Sequence, residues 1–167
     1  MASQVRSDCA NGHANTMLAA GDPDNTTYLT RPEARQALFT QLVAGLEFLG
    51  DQRLGRPLGT LDKPHPERAE SRASRRSVTN IRVSVRAMKA MVQTLTSDAP
   101  QTMAGFDLAI GLADALQDPA QAGVATPDGR LRALGVQQAV TALRNATLAD
   151  LAPEPDMGTG LNATDGD

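Results

Sequence analysis

A chain of 167 residues and 17.5 kDa suits one domain of ordinary size, large enough to enclose a single hydrophobic core. Hydrophobic residues make up 41% of it but aromatics only 2%, with no Trp, so the core must be built from Leu, Val, Ala, Met and Ile; no alternating run of Val, Ile, Thr and aromatics supports a sheet. Cys9 stands alone, which excludes an intrachain disulfide and a multi-thiolate metal cluster, while the net charge of −3 conceals a strong asymmetry.

From Arg53 to Lys89, ten Lys/Arg stand against Asp62, Glu67 and Glu70; from Ala90 to Asp167, Arg130, Arg132 and Arg144 stand against ten acids. Either a basic element packs beside acidic neighbours or the basic stretch forms an anion-binding surface. The first twenty residues contain no apolar core of a signal peptide, and no stretch approaches the roughly 18 apolar residues of a membrane span, so the sequence reads as soluble and without an export signal of its own.

In chain order, Ser3 to Leu18 is weakly helical, marked by Val5, Cys9 and Met17, and a polar loop follows. Thr30 is a candidate N-cap with Glu33 as its capping-box partner. Leu38, Leu42, Gly45, Leu46 and Leu49 then form one stripe of a helix expected to run to about Asp51 and to stop near Gly50 to Gly55. Gly55, Pro57, Gly59, Pro64 and Pro66 predict an irregular connection from Arg53 to Pro66.

Val78, Ile81, Val85, Met88, Val92 and Leu95 step by three and four, the spacing of a helix buried along one seam of a bundle, with Arg82, Arg86 and Lys89 off that seam. Met103, Phe106, Ile110, Ala113 and Leu116 or Gln117 predict another helix, ended by Asp118 and Pro119. Asp128 is expected to cap a last helix carrying Leu131, Leu134, Val136, Val140, Leu143 and Leu148, which Pro153 and Pro155 terminate. The expected fold is all-α, an up-down bundle of about four main helices over 30–152, preceded by the end of a helix and a loop over 1–29 and followed by an acidic, Gly-containing tail over 153–167.

Chemistry-bearing motifs are sparse. His13 and His65 are the only histidines, H-E-x-x-H and G-x-S-x-G do not occur, and neither phosphate-loop nor dinucleotide glycine patterns are present. The unusual stretch is Arg53 to Asn80, where arginine forks suited to carboxylates and phosphates flank tight turns. If a helix starts near Pro66, then Glu70, Ser74, Ser77 and Asn80 share one side of it; Glu70 could equally pair locally with Ser74 or an arginine. The same stretch holds no aromatic residue to stack on bases, which disfavours nucleic acid as a partner.

QRLGRPLG at Gln52–Gly59, P-x-R-A-E at Pro66–Glu70, S-x-R-S-V-x-N at Ser74–Asn80 and G-x-G-x-N-A-x-D-G-D at Gly158–Asp167 together resemble the C-terminal half of imelysin-family proteins, and A-A-G-D-P-D-N-x-x-Y at Ala19–Tyr28 fits the same region. The resemblance implies one half of an all-helical double bundle, located in the periplasm or cell envelope and linked to iron uptake. It implies a ligand-binding set of Arg53, Arg56, Pro57, Gly59, Glu70, Ser74, Ser77, Asn162 and Asp165, with Asp167 beside them. The family is filed among metallopeptidases, and its hallmark, G-x-H-x-x-E, is missing: Gly12 and His13 are adjacent, and Thr16 lies three residues after His13. The implied function is therefore a non-catalytic binding or accessory module, expected to be truncated, with an inactive metallopeptidase as the alternative. Iron or another divalent metal is implied only for the full-length family. The implied partners are an N-terminal imelysin half, a second copy of the chain, or iron-uptake components. Arg75 in Ser74–Arg76 stands where a small, Gly-containing S-G-R-S spacing is expected.

Overall fold

The computed structural model describes residues 12–154 and residue 157, and every regular element among them is helical. A short helical segment over 12–18 precedes the four main helices, α1 (Arg31–Phe48), α2 (Ser77–Leu95), α3 (Pro100–Ala115) and α4 (Pro127–Leu151). The all-helical bundle expected from the Leu, Val and Ala-rich composition is the observed architecture. The chain divides into two compact units, residues 1–40 with 154–167, and residues 41–153.

In the first unit, Asn25 organises the loop ahead of α1. Its Nδ2 donates to the Thr16 carbonyl at 2.6 Å, while its Oδ1 accepts from the amides of Thr27 and Tyr28 at 3.0 Å each, an Asx turn that replaces missing backbone partners. The predicted capping box is present: the Glu33 amide donates to Thr30 Oγ1 at 3.3 Å, and the Thr30 amide donates back to Glu33 Oε2 at 3.2 Å. Arg35 and Glu154 form an ion pair at 3.5 Å.

In the second unit, the predicted seam of α2 is realised in full, with Val78, Ile81, Val85, Met88, Val92 and Leu95 all buried. Leu42, Leu46, Phe106, Val136 and Leu143 on the other helices are likewise buried, each essentially without solvent contact. Of the stripe expected on α3, Phe106 and Ala113 are buried and Met103 and Ile110 half-buried; on α4, Leu131 is exposed to 70%, so that helix begins with its apolar face incomplete.

Caps join the helices. Asp150 Oδ2 on α4 accepts from both the amide and the hydroxyl of Thr102 at 2.8 and 2.9 Å, satisfying an orphan donor in the first turn of α3. At the other end of α3, the Arg82 guanidinium donates to the carbonyls of Ala113 and Asp114 at 3.1 Å each and to that of Leu116, putting a cation where the helix dipole is negative. The cap of α4 is Thr126 rather than Asp128: Thr126 Oγ1 accepts from the Gly129 amide at 3.2 Å. Pro127 takes the first helical position, where a missing N–H costs nothing, and so moves the cap back by two residues.

Candidate functional site

The helix expected to stop near Gly50 instead continues. Leu49–Gly55 form a wide π-helical turn that leads into a single α-turn, Arg56–Leu58, with the Arg56 amide donating to the Asp51 carbonyl. Two glycines make this geometry feasible. Gly50 is buried, and a side chain on Gly55 would come within 3.0 Å of Gln137 Nε2 and 3.2 Å of the Gly50 carbonyl oxygen. Into the space left free, Gln137 on α4 donates from Nε2 to that same Gly50 oxygen at 3.1 Å, satisfying a carbonyl that the widened turn displaces. Pro57 is tolerated because it falls in the first turn of Arg56–Leu58. The irregular connection therefore begins at Gly59, not at Arg53.

The π-turn aims Arg53. Its Nε donates to Glu70 Oε2 at 2.5 Å, its Nη2 to Glu70 Oε1 at 3.4 Å and its Nη1 to Ser84 Oγ at 2.5 Å, while the guanidinium carbon lies 5.4 Å from the centre of the Phe48 ring. One half-buried fork thus ties the π-turn, the loop at Glu70 and α2 together. Of the two local partners open to Glu70, an arginine is the one it takes.

Between those anchors the loop is pinned by backbone. The His65 amide donates to the Pro57 carbonyl at 2.8 Å, and Thr60 and Lys63 exchange both backbone hydrogen bonds at 3.2 Å. Gly59 has φ +56 and ψ −145, and a Cβ there would stand 2.3 Å from the Lys63 carbonyl oxygen, so only glycine fits. His65 Nδ1 lies 2.7 Å from Glu67 Oε1. The Glu67 carboxyl is held below the usual carboxylate range, first by a hydrogen bond from its own backbone amide and then by His65.

No helix runs from Pro66 through Ser77. Pro66–Arg68 make one 3-10 turn, and Ser71 and Arg75 then adopt left-handed backbone at φ 57 and 56, which breaks any continuing helix. Ser74 Oγ donates to the Ser71 carbonyl at 3.0 Å and Asn80 Nδ2 to Ser71 Oγ at 3.1 Å, so Ser74 closes a turn and does not join Glu70 on a helical face. Ser77 opens α2, is 3% exposed, and its hydroxyl has no hydrogen-bond partner among the described residues. Arg56 is exposed at the entrance to the loop, Pro57 is buried beneath it, and Asn162, Asp165 and Asp167 lie outside the described residues. The structure thus brings Arg53 and Glu70 together, sets Arg56, Pro57 and Gly59 on the same stretch, and places Ser74 in the turn at Ser71 and Ser77 at the start of α2.

The basic stretch divides into a paired half and an exposed half. On α2, Arg86 binds both Asp114 oxygens at 2.8 and 2.6 Å and Lys89 pairs with Asp107, so acids of α3 neutralise that half. In the loop, Arg56, Lys63, Arg72, Arg75 and Arg76 are exposed and carry no ion pair among the described residues. A metal is not similarly provided for: among the described residues no group of three or more His, Cys, Asp and Glu converges, His65 is engaged with Glu67, and His13 sits edge-on to Tyr28 at 6.4 Å. Nor, among those residues, is any helix long and apolar enough to cross a membrane.

Residues 1–147 match the family model for imelysin, a peptidase-class family. The match takes in the Gln52–Asn80 stretch and ends before Gly158–Asp167. No curated protein matches the chain, and no solved structure does.

Proposed function

Because the chain belongs to the imelysin family, we propose that it serves as a binding or accessory module of the periplasm or cell envelope in iron uptake, holding an anionic ligand on the loop between the π-turn and α2 without performing catalysis. The observation that carries this reading is the Arg53 fork: three of its five N–H donors are spent on Glu70 and Ser84, so Arg53 positions the loop, and Arg56 three residues on is an exposed cation with no ion pair among the described residues. Arg72, Arg75 and Arg76 add charge of the same sign nearby in sequence. A ligand suited to such a rim carries carboxylates or phosphates, which planar guanidinium groups bind bidentately. An iron chelate with free carboxylates meets that description, and the sparse donor set of the described residues favours holding the metal through its chelator over direct coordination.

The test is calorimetric titration with ferric citrate, citrate alone and gallium citrate. Arg56→Ala should weaken binding of the metal complex at least tenfold with the melting temperature unchanged, and Glu70→Ala should weaken it by releasing the loop from its Arg53 anchor. If both variants bind as the parent does, the site is wrongly assigned. Chelator-sensitive cleavage of a peptide by the purified chain would instead favour the metallopeptidase reading.

A further inference from the structure

Charge is spread unevenly over the outside of the bundle. α3 and α4 lie side by side and antiparallel, with Thr102 bonded to Asp150 and Gly105 set against Leu143. Their outward stripes are uncharged: Ala104, Leu108, Gly111 and Ala115 on α3, and Leu131, Gln138, Ala142, Asn145 and Ala149 on α4. The chain is 21% charged, yet the charged groups bordering these stripes are already paired within it, Asp107 with Lys89, Asp114 with Arg86 and Arg144 with Glu47. α3 is thus apolar on its outer stripe as well as its inner one, and helices of that kind are normally covered on both sides.

Two kinds of residue on this face are unexplained by the packing of a single copy. Leu108 is 56% exposed and Leu131 70%. Gly111 and Gly135 sit inside α3 and α4, where glycine weakens a helix, and a Cβ on either would meet nothing within 4 Å. Gly45 and Gly105, by contrast, are closed off from within, a Cβ there standing 3.1 Å from Met88 Sδ and from Leu143 Cδ1 respectively. Each helix therefore presents a projecting leucine with a glycine hollow one turn away.

We infer that this face joins two copies of the chain about a two-fold axis, α3 against α3 and α4 against α4, each pair antiparallel. The α3 stripe is complementary to itself in that orientation. An axis midway between Ala109 and Ile110 sets Leu108 opposite Gly111 of the second copy and Ala104 opposite Ala115, so each knob meets a hollow and small residues meet small ones. At 1.5 Å per residue the α3 stripe is about 16 Å long and the α4 stripe about 27 Å, and the two helices together are about 20 Å wide. The face therefore covers roughly 450 Å² per copy, or about 900 Å² in all, just below the roughly 1,000 Å² of a stable interface, which makes the dimer weak and reversible. Its lack of charge disfavours an acidic or basic partner, and the paired charges beside it supply a polar rim. The face is separate from the Arg56 loop and stands or falls independently of that loop's ligand.

The test is sedimentation velocity of the whole chain from about 10 μM to about 1 mM, a range that spans the dissociation of weak interfaces. The parent should sediment as a monomer at the dilute end and shift to dimer at the concentrated end. Leu108→Glu should stay monomeric throughout with its melting temperature unchanged, because Leu108 is mostly in water in a single copy. Ala104→Glu and Ala115→Lys should each weaken association at least tenfold, and the double variant should recover it. Those two positions are three turns apart on one helix and meet only across the axis. Gly111→Ala should weaken association while raising the melting temperature of the dilute monomer, two effects of opposite sign that a defect in folding would not produce. A parent that is monomeric at the highest concentration overturns the proposal. So does a dimer that Leu108→Glu leaves intact, and so does a double variant that associates no better than its singles.

Discussion

Replacing Gly59 by Ala tests how tightly the loop is built. Its φ of +56 with ψ −145 lies outside even the left-handed helical well, and the added Cβ would sit 2.3 Å from the Lys63 carbonyl oxygen and 3.0 Å from His65 Cδ2. The Lys63 oxygen is backbone, and the Thr60 amide holds it at 3.2 Å, so it cannot swing aside as a side chain would. Backbone strain of this kind costs about 1–3 kcal/mol, and overpacking adds about 1–3 kcal/mol. A loss near 3 kcal/mol lowers the melting temperature by about 6–12 °C in a chain of this size. Thermal melts followed by far-ultraviolet circular dichroism read the shift directly. Gly111→Ala is the internal control, since a Cβ there meets nothing within 4 Å inside α3, and it should gain about 1 kcal/mol from helix propensity. If Gly59→Ala melts within about 0.5 kcal/mol of the parent, the argument from steric exclusion fails.

Three further outcomes follow from local geometry. Arg75→Gly should stabilise the chain by about 0.5–1 kcal/mol, because relief of left-handed strain outweighs the added freedom of the unfolded chain; Arg72→Gly, where φ is not positive, should lower stability, and equal effects from the two would refute the reasoning. Arg82→Ala, read by urea denaturation, should cost about 2 kcal/mol by uncapping three carbonyls at the end of α3, and Arg82→Lys should recover only part of it because an ammonium lacks the fork. Glu67 is held below its ordinary pKa, so its contribution to loop order is present at neutral pH and is lost only as pH falls through that lowered value. An NMR titration of its carboxyl should give a midpoint below the usual carboxylate range, moving up in His65→Ala but not all the way, since its own backbone amide is the larger cause.

Periodicity carried the fold as far as burial is regular. The α2 seam from Val78 to Leu95 and the Thr30–Glu33 cap were legible because a stripe at steps of three and four and a capping box each have one structural solution. The π-turn was not, since Gly50 and Gly55 read as helix breakers until Gln137, distant in sequence, is seen filling the gap beside them. For the same reason Phe48 went unpaired with Arg53: a five-residue offset is a neighbour across a π-turn and not on an α-helix. Ser84 carried no signal, being one small polar residue on the open side of a helix. The odd Arg75 in S-x-R-S was visible as a departure from a small-residue spacing, and its positive φ gives that departure its physical meaning.

The most direct test of the account is to find where an anionic iron chelate sits. Ferric citrate is paramagnetic and broadens amide signals near it, and gallium citrate supplies the diamagnetic reference. Broadening should centre on the loop from Arg56 to Glu70, be reduced in Arg56→Ala and be dispersed in Glu70→Ala. Broadening spread evenly over the surface, or centred away from that loop and unchanged in both variants, would contradict the account.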